Sequence, residues 1–131
     1  MKVEGYDIDG VLASFDLDKL VEADSYGARY TYYWNCTPIK ARDELPARAI
    51  AISARSPDFH ALTVSWLKKH YPDTAFEVFL VGFDEFSHHR KVMVMESVGV
   101  TRFYDDSAEW CEFFKANGID AVHTPYILSQ E

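Results

Sequence analysis

Short apolar runs alternate with longer stretches in which apolar residues recur at helical spacing. Five runs of four to six mainly apolar residues lie at 3–6, 49–52, 76–81, 100–104 and 119–122. Such runs are typical of strands buried in a parallel sheet. Three intervening stretches predict helices from the apolar residues Phe59, Leu62, Trp66, Val92, Met95, Val98, Trp110, Phe113 and Phe114. The alternation predicts an α/β fold whose parallel sheet has helices on both faces.

Start and stop signals flank these helical stretches. Ser56 and Pro57 suit the start of the first helix, and Pro72 follows its end. Gly99 follows the second stretch and Gly118 the third, where a glycine commonly ends a helix. The sequence therefore predicts the chain order strand, insert, strand, helix, strand, helix, strand, helix, strand.

Residues 12–46 do not fit the alternation. They contain five aromatic residues within nine positions, namely Tyr26, Tyr30, Tyr32, Tyr33 and Trp34. We interpret the segment as a helix followed by a small excursion, with a hairpin as one possible form. It would be a flap or small insert over the active edge, within a single domain spanning residues 1–131. The aromatic residues would either stack on a base or pack the insert onto the core.

Composition narrows the class of protein. The chain is 48% hydrophobic, which suffices for one core, and no apolar run approaches the ~20 residues that span a bilayer. We expect a cytoplasmic protein without membrane association, in which Cys36 and Cys111 are reduced thiols. The net charge of −8 argues against an extended grip on nucleic acid, but it permits binding of one nucleotide or strand end.

Two carboxylates follow the first predicted strand. Asp7 and Asp9 lie two positions apart, and Gly10 allows a sharp turn directly after them. In metal-assisted phosphoryl transfer, one such carboxylate attacks phosphorus and the other transfers protons. The alternative is an ordinary capped turn. Asp16 and Asp18 repeat the spacing, but no apolar run precedes them, so we interpret one of them as a helix cap.

Further polar residues follow the other strands. Ser53, Ala54 and Arg55 come after the second strand, where a hydroxyl, backbone N–H groups and a guanidinium can bind phosphate. Asp105 and Asp106 come after the fourth strand, and one or both can bind Mg²⁺. The carboxyl ends of parallel strands meet at one edge, so these residues are expected to converge.

Lys91 lies at the start of the helix that precedes the fourth strand. It would neutralise the attacking carboxylate and a phosphate oxygen. His88, His89 and Arg90 crowd the same turn, so the choice among these residues stays open at this point.

The order of these motifs resembles that of the haloacid dehalogenase superfamily of phosphatases. Residues 7–11, Ser53, Lys91 and Asp105-Asp106 match its four motifs, and the resemblance runs from residue 3 to residue 122. It implies a Rossmann-like sheet with a squiggle and a flap after the first strand. It also implies Asp7 as the nucleophile and Asp9 as the general acid and base.

Within that superfamily, the chain most resembles the phosphatase domain of polynucleotide kinase-phosphatases. The resemblance implies Mg²⁺ as cofactor, with Asp7, Asp9, Asp105 and Asp106 as the candidate metal site. The expected substrate is a nucleotide, a nucleic-acid end or another small phosphate ester. The alternatives are a phosphoacceptor signalling module and a non-catalytic binding protein of the same fold.

Overall fold

The computed structural model describes residues 3–126 and contains one five-stranded sheet in which every strand pairing is parallel. The strand order is β3-β2-β1-β4-β5. The strands are β1 Glu4–Tyr6, β2 Arg48–Ser53, β3 Ala75–Leu80, β4 Arg102–Asp105 and β5 Asp120–His123. All five predicted strands are confirmed, with ends that differ by one or two residues.

Five helices accompany the sheet in the described part of the chain. They are α1 Leu17–Glu22, α2 Tyr26–Trp34, α3 His60–His70, α4 Ser87–Val98 and α5 Ala108–Ala116. Ser56 caps a 3-10 turn, Pro57–Phe59, that leads into α3. Gly99 ends α4 in the left-handed conformation. Asp16, from the second Asp-x-Asp pair, accepts the N–H groups of residues 18 and 19 and caps α1.

The sheet separates two apolar clusters, as a sheet covered on both faces must. Along β2, Ile50 and Ile52 belong to the cluster under α4 and α5, whereas Ala49 and Ala51 belong to the cluster under α3. This period of two follows from the alternation of side chains along a strand. The fold is therefore α/β and Rossmann-like, as the sequence predicts.

The strand order reverses beside β1. The chain passes from β1 through β2 to β3 on one side, and it then returns to place β4 on the other side. A crevice at the carboxyl ends of β1 and β4 is where such sheets commonly bind ligands. The topology therefore directs attention to residues 7–10 and 105–107.

The segment of residues 12–46 is mainly helical and contains no hairpin in its aromatic part. Ser25 caps α2, and Tyr33 buries its ring edge-on against Phe59. Tyr26 and Tyr33, two helical turns apart, lie on the same side of α2, and both rings contact Phe59 in the turn before α3. The aromatic residues are therefore in a helix, and a hairpin is the wrong form for this part of the segment. Trp66 of α3 donates to the Cys36 carbonyl, which anchors the end of the segment.

Two other expectations concern the chain as a whole. Cys36 and Cys111 are both free and buried, which agrees with reduced thiols. Among residues 3–126, no helix has the length and apolar character needed to cross a membrane.

Candidate active site at the carboxyl ends of the strands

Asp7 lies directly beyond β1 and is buried. Its backbone N–H donates to the Tyr104 carbonyl of β4 over 2.9 Å, which continues the pairing of the two strands. Its own Oδ1 accepts the N–H of Ile8 over 2.8 Å. Two backbone donors thus fix both the main chain and the carboxylate of Asp7 at the point where the strand order reverses.

A tight turn follows Asp7. The Ile8 carbonyl accepts the N–H groups of residues 11, 12 and 13, and Gly10 donates to the Ala13 carbonyl. Gly10 has a φ of +89°, and a Cβ at this position would collide with the Asp106 carboxylate. The turn therefore needs glycine both for its backbone conformation and for the close approach of Asp106.

Lys91 reaches the same place from α4. It is 2% exposed, and its Nζ lies 3.4 Å from Asp7 Oδ1 and 3.6 Å from Asp105 Oδ2. Burial lowers the pKa of Lys91, but the charges of Asp7 and Asp105 outweigh that effect and hold the pKa above its ordinary value. The lysine is therefore a buried cation that bridges the ends of β1 and β4.

The residues that crowd Lys91 in the sequence lie elsewhere. His88 stacks on Trp110 with ring centroids 3.6 Å apart, and His89 meets the Phe113 ring edge-on. Arg90 donates to the Val81 carbonyl and to the Asp84 carboxylate. Among the nitrogen-bearing side chains of this turn, the structure thus brings Lys91 to the carboxylates.

Asp7, Asp105 and Asp106 form an acidic cluster. Each can place a carboxylate oxygen within 4.8 Å of the others. Burial raises the pKa of Asp7 well above its usual range; Lys91 opposes this effect, and the other carboxylates add to it. Burial and the charge of Asp105 also raise the pKa of Asp106 to about 6. One lysine therefore does not neutralise the three acids.

The cluster fits a divalent cation. Buried Asp105 Oδ2 has no hydrogen-bond partner among the described residues, whereas Oδ1 of the same side chain accepts the Ser107 N–H. Carboxylate oxygens are the ligands that hard cations prefer, and an added positive charge would relieve the repulsion that raises these pKa values. The donor set is thus suitable for Mg²⁺, although it does not identify the ion.

Asp9 lies outside the acidic cluster and has a different partner. Its Oδ1 and Oδ2 accept hydrogen bonds from Nη2 and Nε of Arg55 over 2.8 and 3.0 Å. Such a two-bond pairing holds a carboxylate firmly in place. The structure therefore does not bring the Asp9 side chain to the predicted metal site, since its carboxylate pairs with Arg55 instead. The Nε and Nη2 groups of Arg55 are occupied by Asp9 and are not open to a phosphate.

The residues between β2 and α3 complete the edge of the site. Ser53 is buried, and its hydroxyl accepts the N–H of Arg55 over 3.1 Å, which leaves Ala54 at the turn between them. Ser107 caps α5 by accepting the Trp110 N–H.

Two contacts of Arg55 are not evident from motif spacing. Its Nη1 donates to Thr63 Oγ1 over 3.1 Å, and its Cζ lies 4.1 Å from the centroid of the Tyr33 ring. In sequence, Thr63 is one residue of a helical stretch and Tyr33 is one of several clustered aromatics. The only signal for either residue is its place in those patterns.

A cavity of about 290 Å³ opens beside the turn that follows Asp9. Its lining includes Gly10, Val11, Ile39, Lys40 and Tyr126. A Cβ on Gly10 would meet the Asp106 carboxylate, so the Gly10 edge of the cavity lies close to the acidic cluster.

No protein-family model matches the sequence, and no curated protein matches it significantly.

Proposed function

We propose that the protein is a Mg²⁺-dependent phosphomonoesterase of the haloacid dehalogenase type. The observation that carries this proposal is the surroundings of Asp7. A buried carboxylate at the end of β1 lies next to a buried lysine and two further acids from the neighbouring strand. Attack on a phosphate ester by a carboxylate requires positive charge next to the anionic groups; Lys91 supplies one such charge, and a cation bound by the acids would supply the rest.

The residues divide the reaction between them. Asp7 attacks phosphorus, the bond from phosphorus to the ester oxygen breaks, and the protonated form of Asp9 gives the leaving oxygen its proton. Asp9 then takes a proton from the water that hydrolyses the aspartyl-phosphate, which releases inorganic phosphate and restores both Asp7 and the proton of Asp9. Lys91 holds the Asp7 carboxylate and offsets its charge. Mg²⁺, held by Asp7 with Asp105 or Asp106, would supply further positive charge next to the phosphate oxygens.

The arrangement of the chain supports this type of phosphatase. A single turn over residues 8–13 follows β1 directly, and a helical segment follows that turn, in the positions where the superfamily has its squiggle and flap. Ser53, Lys91 and the acids after β4 come in the order of the superfamily motifs. The cavity beside Gly10 gives room for the group that carries the phosphate.

The substrate is a small phosphate ester, a nucleotide or a nucleic-acid end. The acidic net charge of −8 disfavours extended binding of nucleic acid. The phosphate itself would bind beside Asp7 and Lys91, at the edge of the sheet where Ser53 ends the neighbouring strand β2. A screen over nucleotides, oligonucleotide 3′- and 5′-phosphates and sugar phosphates would separate these classes.

The decisive test measures turnover and the covalent intermediate together. We expect the wild-type protein to hydrolyse p-nitrophenyl phosphate with Mg²⁺ and to yield an acid-stable phosphoprotein after rapid quenching. Asp7→Asn should lose both signals, with turnover reduced at least about 10³-fold, because the nucleophile is gone. Asp18→Asn, an acid of the second Asp-x-Asp pair that lies on α1, is the matched control and should retain both.

The other outcomes point to other functions. A long-lived phosphoaspartate with negligible turnover would indicate a phosphoacceptor signalling module. Binding of Mg²⁺ that is lost in Asp106→Asn, without turnover or phosphorylation, would indicate a binding protein. Full activity of Asp7→Asn would contradict the mechanism.

A further inference from the structure

Arg55 is enclosed by the protein on several sides. Its side chain is 1% exposed, although the residue follows a strand at the edge of the site. Three of its five N–H groups have protein acceptors, two on Asp9 and one on Thr63. An arginine whose fork is already occupied by a carboxylate is better placed to orient that carboxylate than to capture a phosphate.

Tyr33 covers the guanidinium of Arg55. The ring centroid lies 4.1 Å from Cζ, and the ring is itself held edge-on between Phe59 and Tyr32. A guanidinium is attracted to the face of an aromatic ring, and the attraction is stronger where water is excluded. Tyr33 therefore limits the movement of Arg55 in a direction that its hydrogen bonds do not restrain.

Thr63 fixes the opposite end of the fork. Its hydroxyl donates to the Phe59 carbonyl over 2.7 Å, so its proton is committed and its oxygen can accept from Arg55 Nη1. Phe59 thus contributes to both restraints, since its carbonyl orients Thr63 and its ring supports Tyr33. The restraint on Arg55 connects α2 of the inserted segment to α3 of the main fold.

We propose that Tyr33, assisted by Thr63, is a positioning residue that confines Arg55 to Asp9 and thereby lets the inserted helix α2 set the orientation of the proton-transferring carboxylate. The kinetic part of this inference rests on the proposed function. The structural part, a restraint that the Tyr33 ring places on the pair of Arg55 and Asp9, does not.

The inference predicts a specific kinetic pattern. If Arg55 is released, Asp9 samples more orientations, and proton transfer to the leaving oxygen becomes less efficient. A leaving group that departs without a proton should be affected little, whereas a poor leaving group should be affected strongly. Loss of general packing would instead reduce turnover of both kinds of substrate to the same extent.

The variants Tyr33→Leu and Tyr33→Phe separate the ring from the hydroxyl. For Tyr33→Leu we expect kcat to fall roughly tenfold with ethyl phosphate and less than about threefold with p-nitrophenyl phosphate. Tyr33→Phe keeps the ring and should resemble the wild type. Tyr30→Leu is the matched control, because Tyr30 belongs to the same helix and is 44% exposed. Equal losses on both substrates in Tyr33→Leu would overturn the proposal.

Thr63→Val tests the second restraint. It should show the same dependence on the leaving group, whereas Thr31→Val should show none. Thr31 makes the same kind of bond to the carbonyl four residues earlier, but on the exposed part of α2. An unchanged leaving-group dependence in Thr63→Val would remove Thr63 from the proposal.

A measurement without turnover separates this inference from the proposed function. The Arg55 Nε–H should give a resolved, slowly exchanging NMR signal, because it is buried and bonded to Asp9. We expect Tyr33→Leu to accelerate its exchange with water, and Tyr33→Phe and Tyr30→Leu to leave it unchanged. Unchanged exchange in Tyr33→Leu would overturn the proposal, whatever the activity. Accelerated exchange in a protein without phosphatase activity would support the restraint and refute the phosphatase.

Discussion

The two carboxylates of the Asp-x-Asp pair leave β1 in opposite directions and meet opposite surroundings. On the β4 side, Asp7 joins two more acids around one buried lysine. On the β2 side, Asp9 pairs with Arg55, which donates a hydrogen bond to each of its carboxylate oxygens. The first region has an excess of negative charge, and the second is neutral as an ion pair.

This difference shows how neighbours assign roles to identical side chains. An acidic cluster with too little positive charge raises the pKa of Asp7 and Asp106 and favours the entry of a cation. A carboxylate held by two hydrogen bonds gains a defined orientation and needs no cation. We therefore expect metal binding and nucleophilic attack on the Asp7 side, and proton transfer on the Asp9 side.

The largest effect that distinguishes the two sides should come from Asp9→Asn. If Asp9 transfers the proton, as proposed, its loss should reduce kcat by about 10²–10⁴-fold with an alkyl phosphate, and by less with p-nitrophenyl phosphate. Mg²⁺ binding, measured by calorimetry, should stay close to that of the wild type because the Asp9 side chain lies outside the acidic cluster. A large loss of Mg²⁺ affinity in Asp9→Asn would show that Asp9 also contributes to metal binding, contrary to the assignment of that role to the Asp7 side.

The next effect concerns the one cation on the Asp7 side. Lys91→Met leaves the buried carboxylates without their counter-charge, and removal of one partner of a buried ion pair typically costs about 3–5 kcal/mol. Urea unfolding at pH 7 without Mg²⁺ should show this loss. Lys68→Met removes an exposed lysine from α3 and should have little effect. If both variants are equally stable, Lys91 does not neutralise the cluster.

Much of this arrangement follows from the sequence, because sheet topology converts strand ends into neighbours. Five apolar runs predict a parallel sheet, and its carboxyl edge then brings Asp7, Ser53 and Asp105 together. Lys91 has an ambiguous place in the sequence, since His88, His89 and Arg90 share its turn. The position of α4 against the sheet decides among them, and that position depends on packing rather than on local pattern.

The Asp9 side is less predictable for a physical reason. Arg55 has a long side chain whose direction depends on its rotamers, and its motif position is compatible with either a phosphate or a carboxylate. Tyr33 reaches Arg55 from a segment that breaks the strand–helix alternation. The convergence of the carboxyl ends of parallel strands at one edge therefore does not predict its position. The sequence therefore predicts which residues lie at this edge but not which of them are paired.

A smaller effect tests how closely the turn after Asp9 depends on the Asp7 side. In Gly10→Ala, the added Cβ meets the Asp106 carboxylate at a position whose φ is +89°, and we expect a loss of about 2 kcal/mol in stability. Mg²⁺ affinity should fall as Asp106 is displaced. Gly118→Ala is the matched control, since Gly118 has a φ of +84° but no atom within 4 Å of the added Cβ.

The control separates two causes. Both variants should lose stability through backbone strain, and any additional loss in Gly10→Ala reports the contact with Asp106. If the two variants lose the same amount of stability and both retain Mg²⁺ affinity, Asp106 moves away from the added Cβ without affecting stability or metal binding.

The smallest effect is a dependence of stability on pH in the absence of metal. The pKa of Asp106 is raised to about 6 in the folded protein from an ordinary value of 3.8. Between these values the folded state binds more protons than the unfolded state, so stability should increase as the pH falls from about 7 towards 4. We expect a contribution of about 1 kcal/mol after screening by solvent, measured by urea unfolding with EDTA.

Asp106→Asn should weaken this dependence to the part that Asp7 contributes, and it should raise the stability of the metal-free protein at pH 7, because an uncharged amide relieves the repulsion within the acidic cluster. Asp18→Asn should do neither. Saturating Mg²⁺ should reverse the trend in the wild type, since a bound cation favours the ionised carboxylates and is lost when they are protonated. A metal-free wild type whose stability rises no more between pH 7 and 5 than that of Asp106→Asn would show that Lys91 already neutralises the Asp7 side. The contrast between the two carboxylates would then lie in geometry alone.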